Sequence, residues 1–363
     1  MVEKHNPMAD YLSEEIKLKL TSFTSTKHPK SICIVNYKGG VGKTTVSCLL
    51  GYYISQHRDM VKRGKDSLKK KKKLLLLDID PQCSLSLAVG FDPEDVNKTE
   101  LTMYNLVKPT KWAKISKTNF NSYVQKVPDS LAPYGLYIIP GSFDIDDLDM
   151  EIAMSIARDG ERRKVELFLY CKQMLNHFHK DYEFIIIDCP PNKMFLTQAM
   201  LRACQYYLPV TIPDAISCYG MPRLMRWVKQ IEPEERPLMI GYVLNAINRT
   251  GGHPAGKVVS QQSAEHILRR DIQRDLMPNE KKVLGENPMV GQLPRLDKIA
   301  KFLSEKGSKF SRYEFSERTS GQPTVDECLT GLVKTILEAV RLCTRLKSDR
   351  GFAPPIRLVE FGK

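Results

Sequence analysis

The chain has 363 residues, 42% hydrophobic and 27% charged, and its 55 basic and 42 acidic side chains give a net charge of +13. That length and balance suit a globular protein with one large core or two smaller ones, and they exclude low-complexity and collagen-like chains. No apolar run reaches the roughly 20 residues of a membrane span, and the nine cysteines include no Cys-x-x-Cys pair.

The surplus of positive charge fits a polyanionic partner, either nucleic acid or an acidic membrane surface, although a basic protein without such a partner would carry the same total. Residues 1–30 form an N-terminal extension with one short amphipathic helix around Tyr11–Leu20. They contain no signal-peptide core, so a cytoplasmic protein is expected. The first strand is predicted at Ser31–Asn36, ahead of Lys38-Gly39-Gly40-Val41-Gly42-Lys43-Thr44-Thr45 and an apolar helix over Val46–Ile54. Strand, glycine-rich turn and helix are the setting of a phosphate-binding loop, because glycines let successive N–H groups converge on phosphate oxygens at a helix N-terminus. Lys43 would reach the β- and γ-phosphates and the Thr44 hydroxyl would ligate Mg²⁺. A second lysine, Lys38, stands inside the loop, and Tyr37 takes the place of the usual leading glycine.

Residues 61–73 are a basic insertion ending in five lysines, Lys69–Lys73, and read as a solvated loop. Next comes a strand at Leu74–Ile79, which carries Asp78 and Asp80 out of the sheet. Leu136–Pro140 is a third strand, and Phe184–Cys189 a fourth, delivering Asp188. Carboxylates at strand ends beside a phosphate loop can hold Mg²⁺ and orient an attacking water. Further strands are expected at Tyr206–Ile212, Leu238–Ile247 and Met289–Leu293. Apolar side chains at nearly every position of these runs indicate strands covered on both faces, hence a mostly parallel sheet between helices.

Basic residues gather in the C-terminal half. Arg223, Arg226 and Lys229 lie on one predicted helix, and a helix over Ser263–Leu276 turns Leu268, Ile272 and Leu276 inward and Arg269, Arg270 and Arg274 outward. Lys298, Lys301, Lys306 and Lys309 make a third basic region. A last amphipathic helix, Val325–Leu346, places Leu329, Leu332, Ile336, Val340 and Cys343 at helical spacing for packing. The tail, 347–363, is broken by two adjacent prolines. Cys33, Cys189 and Cys204 read as small buried residues, and His177 and His179 are two apart, on different sides of a helix.

The Lys38–Thr45 loop, Asp78-Ile-Asp-Pro-Gln82 and Asp188-Cys-Pro-Pro191 resemble the deviant Walker A, A′ and B motifs of the ParA/MinD superfamily. Leu136–Ser142, Ile240–Ile247 and Gly291–Arg295 are similar to that family's later strands, so the resemblance runs from Ser31 to Leu346. It implies one P-loop α/β domain over 31–346, a mostly parallel twisted sheet with helices on both faces. It further implies ATP and Mg²⁺ as ligands, with Lys43 on the phosphates and Thr44, Asp80 and Asp188 at the metal, Asp188 through water. Asp80 would also orient the hydrolytic water, and Lys38 would cross to the phosphates of a partner subunit in an ATP-sandwich homodimer. Asn245 and the loop from Pro294 would flank adenine.

Within the superfamily, no cysteine spacing matches the iron–sulfur carriers, and the proline-broken tail does not match the membrane helix of MinD proteins. The implied branch is the ParA type: a nucleoid-associated partition or positioning ATPase that binds nonspecific DNA and is stimulated by a ParB-like or other adaptor protein. Its DNA contacts would come from Arg223, Arg226, Lys229, Arg269, Arg270, Arg274, Lys298 and Lys301. A MinD-like membrane-cycling ATPase and a nucleotide switch without DNA binding are the alternatives.

Overall fold

A computed structural model describes residues 30–56, 73–112, 118–129, 132, 135–179, 181–233, 235–247, 259–294 and 325–349. The N-terminal extension up to residue 29, the basic insertion up to residue 72 and the tail from residue 350 lie outside the described residues.

Among the described residues nine strands form the sheet: β1 (Lys30–Val35), β2 (Lys73–Asp78), β3 (Gln125–Lys126), β4 (Leu136–Ile139) and β5 (Tyr182–Asp188), then β6 (Tyr206–Thr211), β7 (Leu238–Met239), β8 (Tyr242–Ile247) and β9 (Met289–Pro294). Their order is β3-β4-β2-β5-β1-β6-β8-β9, with β7 pairing β6 off this path. All pairings are parallel except that of β3 with β4.

The helices in chain order begin with α1 (Lys43–Gln56), α2 (Ser84–Ala88), α3 (Pro93–Lys98), α4 (Met103–Val107), α5 (Ile145–Asp159) and α6 (Arg162–Phe178). They continue with α7 (Phe195–Ala203), α8 (Ala215–Lys229), α9 (Val259–Asp275), α10 (Pro278–Leu284) and α11 (Val325–Asp349).

Side-chain alternation divides the core into two layers. Ile32 and Ile34 of β1, Leu74 and Leu76 of β2, and Phe184 and Ile186 of β5 point to the layer formed with α1 and α11. The intervening Cys33, Val35, Leu75, Leu77, Ile185 and Ile187 point to the opposite layer, where Leu106, Leu148, Leu175, Leu196, Leu224 and Leu268 from α4 to α9 cover them. Strands buried on both faces must be sandwiched, so this apolar pattern and the parallel sheet are one fact. The stripes predicted for the later helices pack as expected: Leu268, Ile272 and Leu276 are buried, as are Leu329, Leu332, Ile336, Val340 and Cys343. Cys33, Cys189 and Cys204 are likewise buried.

Two features differ from the sequence reading. The run Leu238–Ile247 is two strands, not one: β7 pairs the start of β6 and β8 its end. The break falls at Gly241, whose φ of 112° suits glycine alone; a Cβ there would lie 2.2 Å from Val290 Cγ1. The antiparallel edge strand β3 was not anticipated, since two polar residues carry no strand signal.

The topology gathers three strand ends. β5 lies between β2 and β1, with Asp188 in register with Asp78 on one side and Ile34 on the other. The loops after β1, β2 and β5 therefore leave the same carboxyl edge side by side, the usual place for a ligand in an open α/β sheet.

Candidate nucleotide site

The loop after β1 curls through Gly40 (φ 70°) and Gly42 (φ 89°) and enters α1 with the Val46 N–H donating to the Gly42 carbonyl at 3.0 Å. At Gly42 the space is filled from far away in the chain: a Cβ would lie 2.0 Å from Asn245 Nδ2. That amide donates to the Val41 carbonyl at 2.9 Å, so Asn245 from β8 braces the phosphate loop. Pro294 ends β9, paired with Ile247 on the next strand. Lys43 is buried and donates to the Lys38 carbonyl at 3.2 Å. Burial pulls its ammonium below the ordinary lysine range, opposed by the nearby Asp188 and Asp80 carboxylates.

Two carboxylates, Asp188 and Asp80, act on this lysine, and Asp78 lies behind them. Asp80 is buried and accepts the Gln82 N–H at 2.9 Å. Asp188 is fully buried; its Oδ1 accepts the Ser47 hydroxyl at 2.8 Å, Thr44 is a further hydrogen-bond partner, and Oδ2 has no partner. Burial and then the neighbouring Asp78 push Asp188 up to about 8, against the hydrogen bonds from Thr44 and Ser47. Asp78 rises to about 6, chiefly by burial.

A buried carboxylate oxygen without a donor is a ready place for a cation. Among the described residues no cluster of three or more ligating side chains could hold a metal by itself. Mg²⁺ takes one or two protein oxygens and completes its shell with water and phosphates. Thr44 and Asp188 lie together here, and the unpartnered Asp188 oxygen is an acceptor such an ion or its water would satisfy, so the residues present fit the ion.

A proton count follows. Asp188 titrates above the ordinary carboxylate value of about 3.9, so its protonated form stabilises the nucleotide-free fold fully below that value and loses this contribution as pH rises through about 8. A cation at Oδ2 demands the ionised form. Binding of Mg²⁺ with nucleotide at pH 7 is therefore expected to release up to about one proton per site, and affinity should rise with pH towards 8. Titration calorimetry in two buffers of different ionisation enthalpy measures the number. No release would mean that Asp188 is already ionised.

Lys38 lies at the rim. Its Nζ is 3.1 and 3.0 Å from the two oxygens of Asp214, the residue that caps α8 by accepting from the Ser217 N–H at 2.8 Å and hydroxyl at 2.7 Å. Burial opposes ionisation of Asp214, but the donors from Ser217 and Lys38 outweigh it and hold its carboxyl below the usual range. Beside it, Asn36 is buried and joins two strands: its amide donates to Val210 at 2.7 Å and its oxygen accepts the Lys38 N–H at 3.2 Å. The Tyr37 ring carries the Lys193 ammonium 4.7 Å from its centroid, with Trp227 at 5.9 Å from the same nitrogen. Tyr37 thus leaves the loop intact and turns its bulk towards α8.

Asp214, Ser47, Asn36 and Lys193 escaped the sequence reading. Asp214-x-x-Ser217 is a helix-capping pattern, and Ser47 lies one turn beyond Lys43, but neither spacing names a partner 176 or 141 residues away.

The predicted basic contacts divide. Arg223 and Arg226 are exposed on α8 and make no ion pair among the described residues. Lys229 pairs with Asp275 at 3.6 Å, Arg269 with Glu265 at 3.7 Å, Arg270 with Asp271 at 3.2 Å, and Arg274 with both Asp271 and Asp275 at 3.5 Å. The surface of α9 is therefore closer to neutral than its arginines alone suggest. Lys298, Lys301, Lys306 and Lys309 lie outside the described residues. No helix among the described residues is long and apolar enough to cross a membrane.

Comparison with known proteins agrees with this fold. The model of an AAA domain family, AAA_31, matches residues 29–240. A ParA family protein of Chlamydia muridarum is 23% identical over 259 residues, 71% of this chain and 88% of the relative. The chromosome-partitioning ATPase Soj of Treponema pallidum is 29% identical over 234 residues, 64% of this chain and 77% of Soj. Among solved structures, apo McdA of Cyanothece superposes with a TM-score of 0.61 at 16% identity, covering 85% of this chain and 99% of that one. A plasmid partition protein of Borrelia burgdorferi bound to AMPPNP gives 0.55 at 15% identity, covering 88% and 99%.

Proposed function

Because the chain belongs to the AAA_31 family of AAA domains and to the ParA/MinD superfamily, we propose that it is a ParA-type, Mg²⁺-dependent ATPase that dimerises around ATP, binds DNA irrespective of sequence, and so positions a plasmid, chromosome or protein cargo. The observation that carries this reading is the unequal placement of two lysines on one phosphate loop. Lys43 is 6% exposed at the centre of the site, whereas the Lys38 side chain keeps 34% exposure at its rim. A rim lysine is available to a second subunit.

In this reading Lys43 holds the β- and γ-phosphates, Thr44 and Asp188 hold Mg²⁺, and Asp80 orients the attacking water. Mg²⁺ supplies neutralisation of charge on the phosphates. Asn245 fixes the loop that cradles them and borders the adenine; the loop after Pro294, the other expected adenine neighbour, lies outside the described residues. Lys38 leaves Asp214 to reach the partner subunit's phosphates, where a second cation stabilises the charge of phosphoryl transfer. Exchange of one anion for another keeps the cost of dimerisation low, so the dimer can form and dissolve with the nucleotide. A ParB-like or other adaptor stimulates hydrolysis, and the protein works in the cytoplasm on the nucleoid.

DNA binding separates this reading from a membrane-cycling ATPase and from a plain nucleotide switch. With ATP, unrelated duplexes should bind alike, and affinity should fall steeply with salt as phosphate counterions are released. Arg223→Ala with Arg226→Ala should weaken every duplex equally and reduce the salt slope by up to about two per subunit. Arg269→Ala with Arg270→Ala should do less, since Glu265 and Asp271 already pair those side chains. Fluorescence anisotropy with ATP, with ADP and beside anionic vesicles reads all of this. ATP-dependent vesicle binding without DNA binding would select the membrane branch, and neither would select the switch.

A further inference from the structure

Asp78 is the last residue of β2 and fully buried, and no step of the proposed hydrolysis uses it. Its carboxylate nonetheless collects three donors. Oδ1 accepts the Asp80 N–H at 3.3 Å, and Oδ2 accepts the Ser86 N–H at 2.8 Å and the Ser86 hydroxyl at 2.6 Å. Ser86 Oγ in turn accepts the Gly141 N–H at 2.9 Å, just beyond β4. A hydroxyl has one proton, and here it is committed to Asp78, so the direction of every bond in the set is fixed.

One carboxylate thus ties the end of β2 to α2 and, through Ser86, to the end of β4. Between the tied points lies the turn that carries Asp80. Within it the Asp80 carbonyl accepts the Cys83 N–H at 2.9 Å, and Cys83 adopts φ 51°. Space is as restricted as hydrogen bonding: a Cβ at Gly141 would lie 3.1 Å from Asp78 Cγ and 3.1 Å from Cys83 Sγ.

We infer that Asp78 is a positioning residue for Asp80: with Ser86 and the Gly141 amide it fixes the turn that aims the Asp80 carboxylate, and it touches neither nucleotide nor water. The inference rests on the water-orienting role proposed for Asp80. Asparagine at position 78 keeps the shape but presents an N–H₂ where donors already point, so at least one of the three donors loses its acceptor. The turn then relaxes, and a carboxylate misplaced by about 1 Å can cost about 100-fold in rate.

The test is single-turnover hydrolysis by the full chain, with ATP affinity measured separately by a fluorescent analogue. Asp78→Asn and Ser86→Ala are each expected to slow hydrolysis by about 10- to 100-fold while ATP affinity stays within about threefold. Ser86→Thr, which keeps the hydroxyl, should restore the rate. The double variant Asp78→Asn with Asp80→Ala should be no slower than Asp80→Ala alone, because a residue acting through another adds nothing once that other is gone. A wild-type rate for Ser86→Ala overturns the inference, as does a double variant slowed by the product of the two single effects. Should Asp78→Asn fail to fold, the two Ser86 variants decide. A wild-type rate for Asp80→Ala is a separate failure, of the water-orienting role itself, and removes the inference with it.

Discussion

Lys43→Ala is expected to lose ATP binding by at least about 100-fold, since a hydrogen bond to a charged group contributes roughly 1.5–3 kcal/mol and the proposed role of Lys43 is to bridge two phosphates. The loss has a second source in the free protein. Lys43 is the cation whose charge offsets Asp188 and Asp80 in the buried site. Without it the carboxylates repel one another and any phosphate that approaches, and Asp188 holds its proton more firmly. Raising Mg²⁺ should therefore recover part of the affinity for nucleotide in the variant, but not all. Equilibrium binding of a fluorescent ATP analogue over a range of Mg²⁺ measures both effects. Affinity within about threefold of wild type would remove Lys43 from the phosphates.

Asp80→Ala is expected to give the opposite profile: ATP binds as in wild type, while hydrolysis falls by about 100-fold or more, the usual contribution of a group that positions or deprotonates the attacking water. The fold should survive, because what Asp80 Oδ1 gives up is one hydrogen bond, from the Gln82 N–H, worth about 0.5–1.5 kcal/mol. Product release cannot then dissolve the ATP state, so the dimer and any DNA binding that depends on it should persist. Phosphate release and sedimentation on the same sample check the two halves. Wild-type hydrolysis by Asp80→Ala would contradict the assignment.

The sheet was legible in the sequence because burial on both faces leaves a continuous apolar run. Leu74–Leu77 and Phe184–Ile187 lie in strands whose bounds differ from those expected by a residue or two. Short polar elements such as β3 and α3 leave no such trace, and the break at Gly241 needed knowledge of Val290 across the sheet. That the phosphate loop, Asp80 and Asp188 share one sheet edge could be read because each is a contiguous motif at a strand end. The braces could not. Asn245 meets Val41 across 204 residues and Asp214 meets Lys38 across 176, contacts that exist only once the strand order is known. The basic surface was half legible: the arginines of α9 point outward, but Glu265, Asp271 and Asp275 share that helix and pair with them.

The central claim is that two copies of this chain close around ATP through Lys38. Sedimentation velocity of wild type and Lys38→Gln, each with Mg²⁺ and a nonhydrolysable ATP analogue, tests it most directly. Wild type should shift from monomer to dimer with the analogue and not with ADP, whereas Lys38→Gln should bind the analogue and stay monomeric. A Lys38→Gln dimer as stable as that of wild type, or a wild-type chain that remains monomeric at saturating analogue, would contradict the account.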